Sequence, residues 1–598
     1  MAQITIRANL SAVQIPLLTE EFGRSVIVRQ QDLNYNPTVA SKADVDKDVG
    51  IPQVYYAHNV MPTNYGYRSV SYSTQIAALA GISSFNQVFN LLSVAGAKAF
   101  LAVNNDGSLY TCHTGTGYAW QLTSGYYKAA VTEGTNTGTG YLVSGRTYKD
   151  AGAHVYLITF TSATAFNVKK NGVADGTGTT ATEYITADAK NTFQINSGST
   201  AFIAGDNFTY TTSAATFTGA VTKCALSGET YIAVEAQGIF QYDFTTNQLV
   251  WRLAAGIEAS AISGVTGSNG YLIVYSSDFV SWSSTIDPLD FIPSLSTGAG
   301  SGSIEDAKGP IRRCVGLTSG FLVFTAANCV AAIFGQNIRY PFTFREVPNA
   351  GGISDLSLVT DEADSTAVYA FTTHGLQQIS TQKAAVVLTE LSDMLTGKRF
   401  EDFNTELLQF NVQNLLTPIK KRVEFISGRF LIISYGTTSF THAIVYDSAL
   451  QRFGKLKAEH TSVFQYGFLD ADDADTPKRQ VALLNSGGQV QTVKFAAGLV
   501  SEDSVVLLGK FQYIRQRTLQ VETFELETVE ENTACDVYDL ITLDGKTFLT
   551  PVAGIPVATA GLTRKYRFRN TGMNHSFLVK GTFRLNSVLI AFNVHGTR

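Results

Sequence analysis

Short apolar strands separated by polar turns recur along most of this chain, and that rhythm restricts the fold more than any other feature. Seven hairpin units fall between about residues 84 and 497. They are FLAVNNDGSLYTC (100–112), YIAVEAQGIFQYDFTTNQLVW (231–251), YLIVYSSDFVSWSS (271–284), GFLVFTAANCVAAIFG (320–335), AVYAFTTHGLQQIS (367–380), RFLIISYGTTSFTHAIVYDSALQRFGKL (429–456) and QVALLNSGGQVQTVKF (480–495). Asn105-Asp106-Gly107 and His374-Gly375 are turn chemistry that joins antiparallel strands. No single hairpin carries enough apolar surface to fold alone, so the units must stack. Repeated small sheets at irregular spacing predict the blades of a β-propeller. Tyr242-Asp243 before Leu249–Trp251 and Tyr446-Asp447 before Arg452-Phe453 read as equivalent positions in two blades. Composition agrees: 37 Phe and 27 Tyr against 4 Met is a palette of strands rather than helices.

The rest of the chain departs from this rhythm in four places. Residues 1–83 read as an irregular arm that packs on the core or on a neighbour. Residues 123–217 are rich in Thr, Ala, Gly and Asn but keep strand alternation in AHVYLITFTSATAFNVKKNG, which predicts an inserted small β domain. Leu388, Leu391 and Leu395 fall at helical spacing that Gly397 ends, and Glu401 to Phe410 is expected to form a second helix. Residues 501–598 alternate more cleanly, with a hairpin at Asp544-Gly545, and predict a separate sandwich. The expected fold is therefore mainly β. It has a β-propeller-like core (84–122 and 218–500), the inserted small β domain (123–217) and a C-terminal antiparallel β-sandwich (501–598).

A length of 598 residues calls for two to four domains. Hydrophobic residues at 45% and charged residues at 16% exclude a disordered chain. The net charge of −5 supplies no basic footprint for gripping nucleic acid. The five cysteines are scattered without CxxC spacing and read as buried free thiols. The N-terminus lacks an apolar signal core and no run is long enough to span a membrane, so a soluble, unanchored protein made in the cytosol is expected.

Gly298, Gly300 and Gly302 with Lys308 suggest a phosphate cradle. Such a cradle needs a strand before the glycines and a helix after them. Pro288, Pro293 and Gly309-Pro310 crowd out both, so the segment reads as a flexible connector between blades, pinned by Phe291. The eight histidines show no metal-ligand spacing. The acidic loop Asp470, Asp472, Asp473, Asp475 lacks the glycine and terminal glutamate of an EF-hand and reads as a solvated turn. No catalytic residue, metal or cofactor is expected, and the chain is read as a non-enzyme. The charged texture of the C-terminal region says more. Glu522, Glu525 and Glu527 crowd one segment. Arg515 and Arg517, and likewise Lys565, Arg567 and Arg569, alternate and so share strand faces. These basic residues are candidates for docking identical neighbours.

Three stretches together resemble a known family: NVMPTNYGYRS in the arm, WSSTIDPLDFIPSLSTGAGSGSIEDAKGPI in the connector, and the ending LDGKTF…RKYRFRNTGMNHSFLVKGTFRLNSVLIAFNVHG. They are similar to the tail nozzle proteins (tail tubular protein B, or tail hub) of short-tailed bacteriophages. The connector carries the resemblance on Trp282, Ser283, Ser284, Asp287, Pro288, Asp290, Phe291, Pro293, Ser294, Gly298, Ala299 and Gly300. The ending carries it on Asp544-Gly545, Arg567, Arg569 and Thr571-Gly572. The insert at 123–217 matches nothing in that pattern. The resemblance implies a virion protein, assembled in the host cytoplasm, that forms a hexameric ring at the distal end of the tail. It implies contact with a tail adaptor protein and with fibre or plug proteins, and passage of double-stranded DNA without specific binding. Glu522, Glu525 and Glu527 are then candidates for an acidic lumen, which repels the phosphate backbone. The alternative is a host-receptor or polysaccharide-binding propeller that uses the insert, and beyond that a depolymerase with an unrecognised carboxylate pair.

Overall fold

The computed structural model describes residues 3–8, 11–16, 24–28, 54–63, 66–80, 84–113, 117–128, 131–149, 152–335, 337, 340–360, 366–387, 420–426, 428–437, 439–466, 480–495, 504–511, 517–527, 535–542, 551–557, 563–572, 574–585 and 587–597. The helical spacing at 388–410, the acidic loop at 470–475 and the turn at Asp544-Gly545 lie outside them. The chain is mainly β. Helical geometry among the described residues is limited to short 3-10 turns such as Ala259–Ala261 and Leu356–Leu358. Two compact units form, one from residues 75–386 with 484–490, the other from 1–74, 387–483 and 491–598.

The first unit holds successive antiparallel meanders, the blades of the propeller-like core. The first runs Phe85–Leu92, Lys98–Asn104, Leu109–His113, Gln121–Lys128. The second runs Val221–Leu226, Glu229–Val234, Gly238–Asp243, Gln248–Arg252. The third is Gly264–Ser268, Tyr271–Tyr275, Phe279–Trp282, Gly300–Ser303. The fourth is Ile311–Leu317, Gly320–Thr325, Asn328–Phe334, Phe342–Gly351, and a three-stranded fifth is Ala367–Thr372, Gly375–Ser380, Ala384–Val386. Strands such as Tyr271–Tyr275 and Gly320–Thr325 are buried along their whole length. That is why they read as continuous apolar runs rather than alternating ones.

Consecutive meanders meet closely. The Gly316 N–H donates to Thr266 Oγ1 at 2.9 Å, and a Cβ on Gly316 would stand 1.7 Å from the Gly267 carbonyl oxygen. Gly316→Val must therefore push two inner strands apart and is expected to cost about 3 kcal/mol. All three tryptophans, Trp120, Trp251 and Trp282, belong to this unit. A denaturation midpoint followed by tryptophan fluorescence reads the loss directly, and an unmoved midpoint would refute it.

The 123–217 segment is a small β domain stitched into the second meander. Tyr141–Tyr148 pairs antiparallel with Gln248–Arg252, and Gln121–Lys128 pairs parallel with the same strand. Tyr156, Phe160, Phe166, Phe193, Phe208 and Tyr210 fill its interior and join one apolar cluster with Trp251 and Leu101. The Asp206 carboxylate accepts the amides of Thr137, Gly138 and Ile203 at 3.0–3.1 Å and so fixes the glycine-rich loop beside it.

In the second unit, Lys420–Ile426, Phe430–Gly436, Phe440–Asp447 and Arg452–His460 form another meander. Its ten-stranded sheet continues through Val60–Thr63 and Gly66–Ile76 to Val490–Phe495, Gln480–Leu484 and Ser462–Tyr466. Residues of the expected N-terminal arm thus act as sheet strands, and Arg24–Val28 pairs with Ser587–Thr597. Asp243 and Asp447 hold the same place in their meanders. Each ends a third strand, pairs with the first residue of the fourth (Gln248 and Arg452), and caps the turn by accepting the Thr245 or Ala449 amide.

The C-terminal sandwich has two five-stranded sheets. One is ordered Arg24–Val28, Ser587–Thr597, Arg517–Glu527, Thr563–Gly572, Ile555–Val557. The other is Val54–His58, Val505–Phe511, Asn574–Gly581, Cys535–Thr542, Val552–Ala553. They face each other through Phe524 and Phe577, whose ring centroids lie 4.6 Å apart.

Candidate functional site

The first of these two sheets carries the charged residues singled out in the sequence. Strand alternation turns Phe524, Leu526, Tyr566 and Phe568 into the sandwich and leaves Thr523, Glu525, Lys565, Arg567 and Arg569 on the outer face. Glu525 stands directly opposite Lys565, and Thr523 opposite Arg567. The Lys565 ammonium donates to Glu525 Oε1 in a partly buried ion pair. A bulge between Val521 and Thr523 leaves Glu522 exposed. The acidic candidates for a lumen and the basic candidates for docking therefore share one sheet, and two of them offset each other's charge. Arg567 and Arg569 are exposed and form no ion pair among the described residues. Arg517 and Glu527 sit at strand ends, opposite Thr597 and Thr563, while Arg515 lies outside the described residues. On the edge strand, the exposed Ile555 stands opposite Arg567.

Between the two sheets lies a polar group that sequence reading missed. Asp539 and His575 are both fully buried. His575 Nδ1 lies 2.9 and 3.0 Å from the two Asp539 oxygens, and Asn570 Nδ2 reaches Asp539 from the opposite sheet at 3.2 Å. The signal was present: Asp539 interrupts the inward stripe Val537, Asp539, Ile541. Nearby the Tyr566 hydroxyl donates to the Cys535 carbonyl, also across the sheets.

A second missed cluster gathers basic groups on the meander of the same unit. His442 pairs across strands with Lys457, and Ile444 with Lys455. Lys455 in turn faces Val60, two residues beyond His58. Burial, followed by Lys455, Lys457 and His442, pushes His58 down to about 3, and His442 falls to about 3 for the same kinds of reason. Burial pushes Lys455 down to about 7, with Lys457 adding to it. His442 stacks on Tyr435 at 5.5 Å, and His460 Nε2 meets Ser434 Oγ at 2.8 Å.

The glycine-rich connector differs from its expectation. Gly300–Ser303 is the fourth strand of its meander, paired with Phe279–Trp282, rather than a free crossing between blades. Glycine is needed because a Cβ on Gly300 would press on the Trp282 indole at 3.0 Å, while Trp282 Nε1 donates to the Gly298 carbonyl at 2.9 Å. Lys308 binds both oxygens of Glu346 at 2.7 and 2.8 Å. Phe291 is buried as an anchor. All five cysteines are free thiols, four of them buried and Cys535 partly so. Among the described residues no group of three or more His, Cys, Asp or Glu is placed to hold a metal ion, and no helix is long and apolar enough to cross a membrane.

No family model matches the chain, and no curated protein matches it. Among solved structures it is similar to the Dos1 propeller, at 10% identity over 71% of this chain and 95% of that one, with a TM-score of 0.33. It is also similar to the WD40 β-propeller domain of Doa1, at 9% identity over 72% and 98%, TM-score 0.29. Apo AztD from Citrobacter koseri aligns at 10% identity over 73% and 100%, TM-score 0.28. The propeller-like core stands on the meanders themselves.

Proposed function

We propose that this protein is a structural subunit of a phage tail, the repeating unit of a hexameric nozzle ring through which the genome leaves. The observation that carries the reading is the outer face of the C-terminal sandwich. Arg567 and Arg569 stand exposed there beside Ile555, on a rigid sheet held from behind by Phe524 and Phe568. Charged groups with an apolar neighbour on regular structure suit a contact between identical copies better than a pocket for a small substrate. The resemblance of the connector and of the ending to tail nozzle proteins supports the same reading and supplies the further partners, a tail adaptor and fibre or plug proteins. Single-particle mass measurement of the purified chain tests it. A closed particle of about six copies is expected, and a chain that stays monomeric with or without the adaptor would sink the proposal. The rival reading, a polysaccharide-binding propeller, has one observation in its favour. Tyr141 on the insert is exposed, as a sugar-stacking ring needs to be. A monomer that binds host glycan and loses binding in Tyr141→Ala would replace the nozzle by that reading.

A further inference from the structure

The connection from Phe279–Trp282 to Gly300–Ser303 carries an unusual set of outward apolar side chains. Ile286 is 80% exposed, Ile292 55% and Leu295 62%. The neighbouring meander adds Tyr340, 66% exposed, in the equivalent connection between Asn328–Phe334 and Phe342–Gly351. The two connections leave the same end of adjacent sheets, since Trp282 closes one strand, Phe342 opens another, and their ring centroids lie 5.6 Å apart. Large apolar side chains exposed along one such loop and on the connection beside it point to an interaction site.

The loop that presents them is built rather than loose. Leu289 and Phe291 are buried beneath it. The Ser284 N–H donates to the Asp290 carbonyl at 2.7 Å, and Ala255 brackets the loop by donating to the Leu289 carbonyl and accepting from the Phe291 N–H, each at 2.8 Å. Asp287 and Asp290 carboxylates accept the Leu289 and Ile292 amides at 3.0 and 3.1 Å. A surface ordered in advance loses little entropy on docking.

Its charge names the occupant. Residues 253–307 contain no Lys or Arg but six carboxylates, Glu258, Asp278, Asp287, Asp290, Glu305 and Asp306. Glu258 is exposed and caps nothing with its side chain, and its segment abuts the loop, with a Cβ on Gly256 3.1 Å from the Ile292 nitrogen. The opposite chemistry occurs on the sandwich. Strand Thr563–Gly572 holds Arg564, Lys565, Arg567 and Arg569 and no acid, and Ile555, 69% exposed, adjoins Arg567. We propose that the Ile286–Leu295 loop of one copy seats on this outer sheet face of a second copy, Ile292 and Leu295 meeting Ile555 while Glu258 meets Arg567 and Arg569. Two different surfaces then join head to tail, and repetition of such a contact closes a ring or extends a filament. The inference rests on the self-assembly reading above and specifies its contact.

The 598-residue chain tests it, because every residue involved is exposed and its replacement leaves the folded core untouched. The double variant Ile292→Ser, Leu295→Ser and the reversal Arg567→Glu, Arg569→Glu should each raise the concentration needed for assembly at least about tenfold. Tryptophan fluorescence and melting should be unchanged. Adding Glu258→Arg to the reversed sheet should restore part of the loss. An Ile292→Cys chain mixed with an Ile555→Cys chain should form a disulfide between the two variants in preference to either with itself. A ring that survives both sets of substitutions without cross-linking overturns this contact and leaves the ring reading standing. A cross-linked pair from a chain that never closes into a ring does the reverse, and a monomer without cross-links removes both.

Discussion

Asp539→Ala should destabilise the C-terminal sandwich by about 3–5 kcal/mol. The carboxylate is fully buried and holds His575 from its own sheet and Asn570 from the facing one. Without it, the fully buried His575 and the half-buried Asn570 both lose a hydrogen-bond partner beside Phe524, Phe568 and Phe577, and losing a partner in a buried site costs part of the desolvation. Asp539→Leu combined with His575→Leu removes both ends of the bond, leaves only Asn570 to be resatisfied, and should be markedly milder than either alone. The two units allow the effect to be located. Every tryptophan lies in the blade unit, so the fluorescence transition should stay where it is. Hydrogen exchange in Cys535–Thr542 and Asn574–Gly581 should accelerate. Unchanged exchange in those two strands would show that the network contributes nothing.

What the sequence revealed follows from which interactions are local. Hairpin turns and strand alternation act over a few residues. The meanders, the matching roles of Asp243 and Asp447, and the common face of Lys565, Arg567 and Arg569 were therefore readable. Pairings across long stretches of chain were not. Nothing near Ser124 announces a parallel partner at Gln248, so the inserted small β domain was readable while the strand pairings that stitch it into a blade were not. Gly300–Ser303 was missed for another reason. Its glycines and serines have little strand propensity of their own, and the strand exists because Phe279–Trp282 offers it a ladder and Trp282 leaves room only for glycine. The outer sheet was half readable: alternation gave the face, while the opposition of Glu525 and Lys565 needed the register between two strands.

The basic cluster of the second unit should make that unit the acid-labile part of the protein. An unfolded histidine takes its proton near its ordinary value of 6.5, whereas folded His58 and His442 wait until about 3 and His460 until about 4. Between those limits the unfolded chain binds more protons than the folded one, so the histidines' contribution to stability is complete above about 6.5 and falls as the pH drops through the window. A pKa displaced by one unit is worth about 1.4 kcal/mol. Besides burial, His58 and His442 are both lowered by Lys455 and Lys457, and His442 also by His460, so the histidines act as one coupled group and all in the same direction. Lys455 extends the trend upward, since its fall from 10.5 to about 7 makes stability rise from neutral into alkaline pH. Glu424 opposes it in part, because burial raises its carboxyl despite the Arg422 guanidinium, and that contribution weakens the unit as the pH rises. On acidification from pH 7 to 4, circular dichroism should lose strand signal in a first step while tryptophan fluorescence from the blade unit holds. His442→Phe keeps a ring on Tyr435 but removes one proton from the balance, so the acid midpoint should move to lower pH. A midpoint that stays in place, or a tryptophan transition that comes first, would show that these histidines do not set the acid limit.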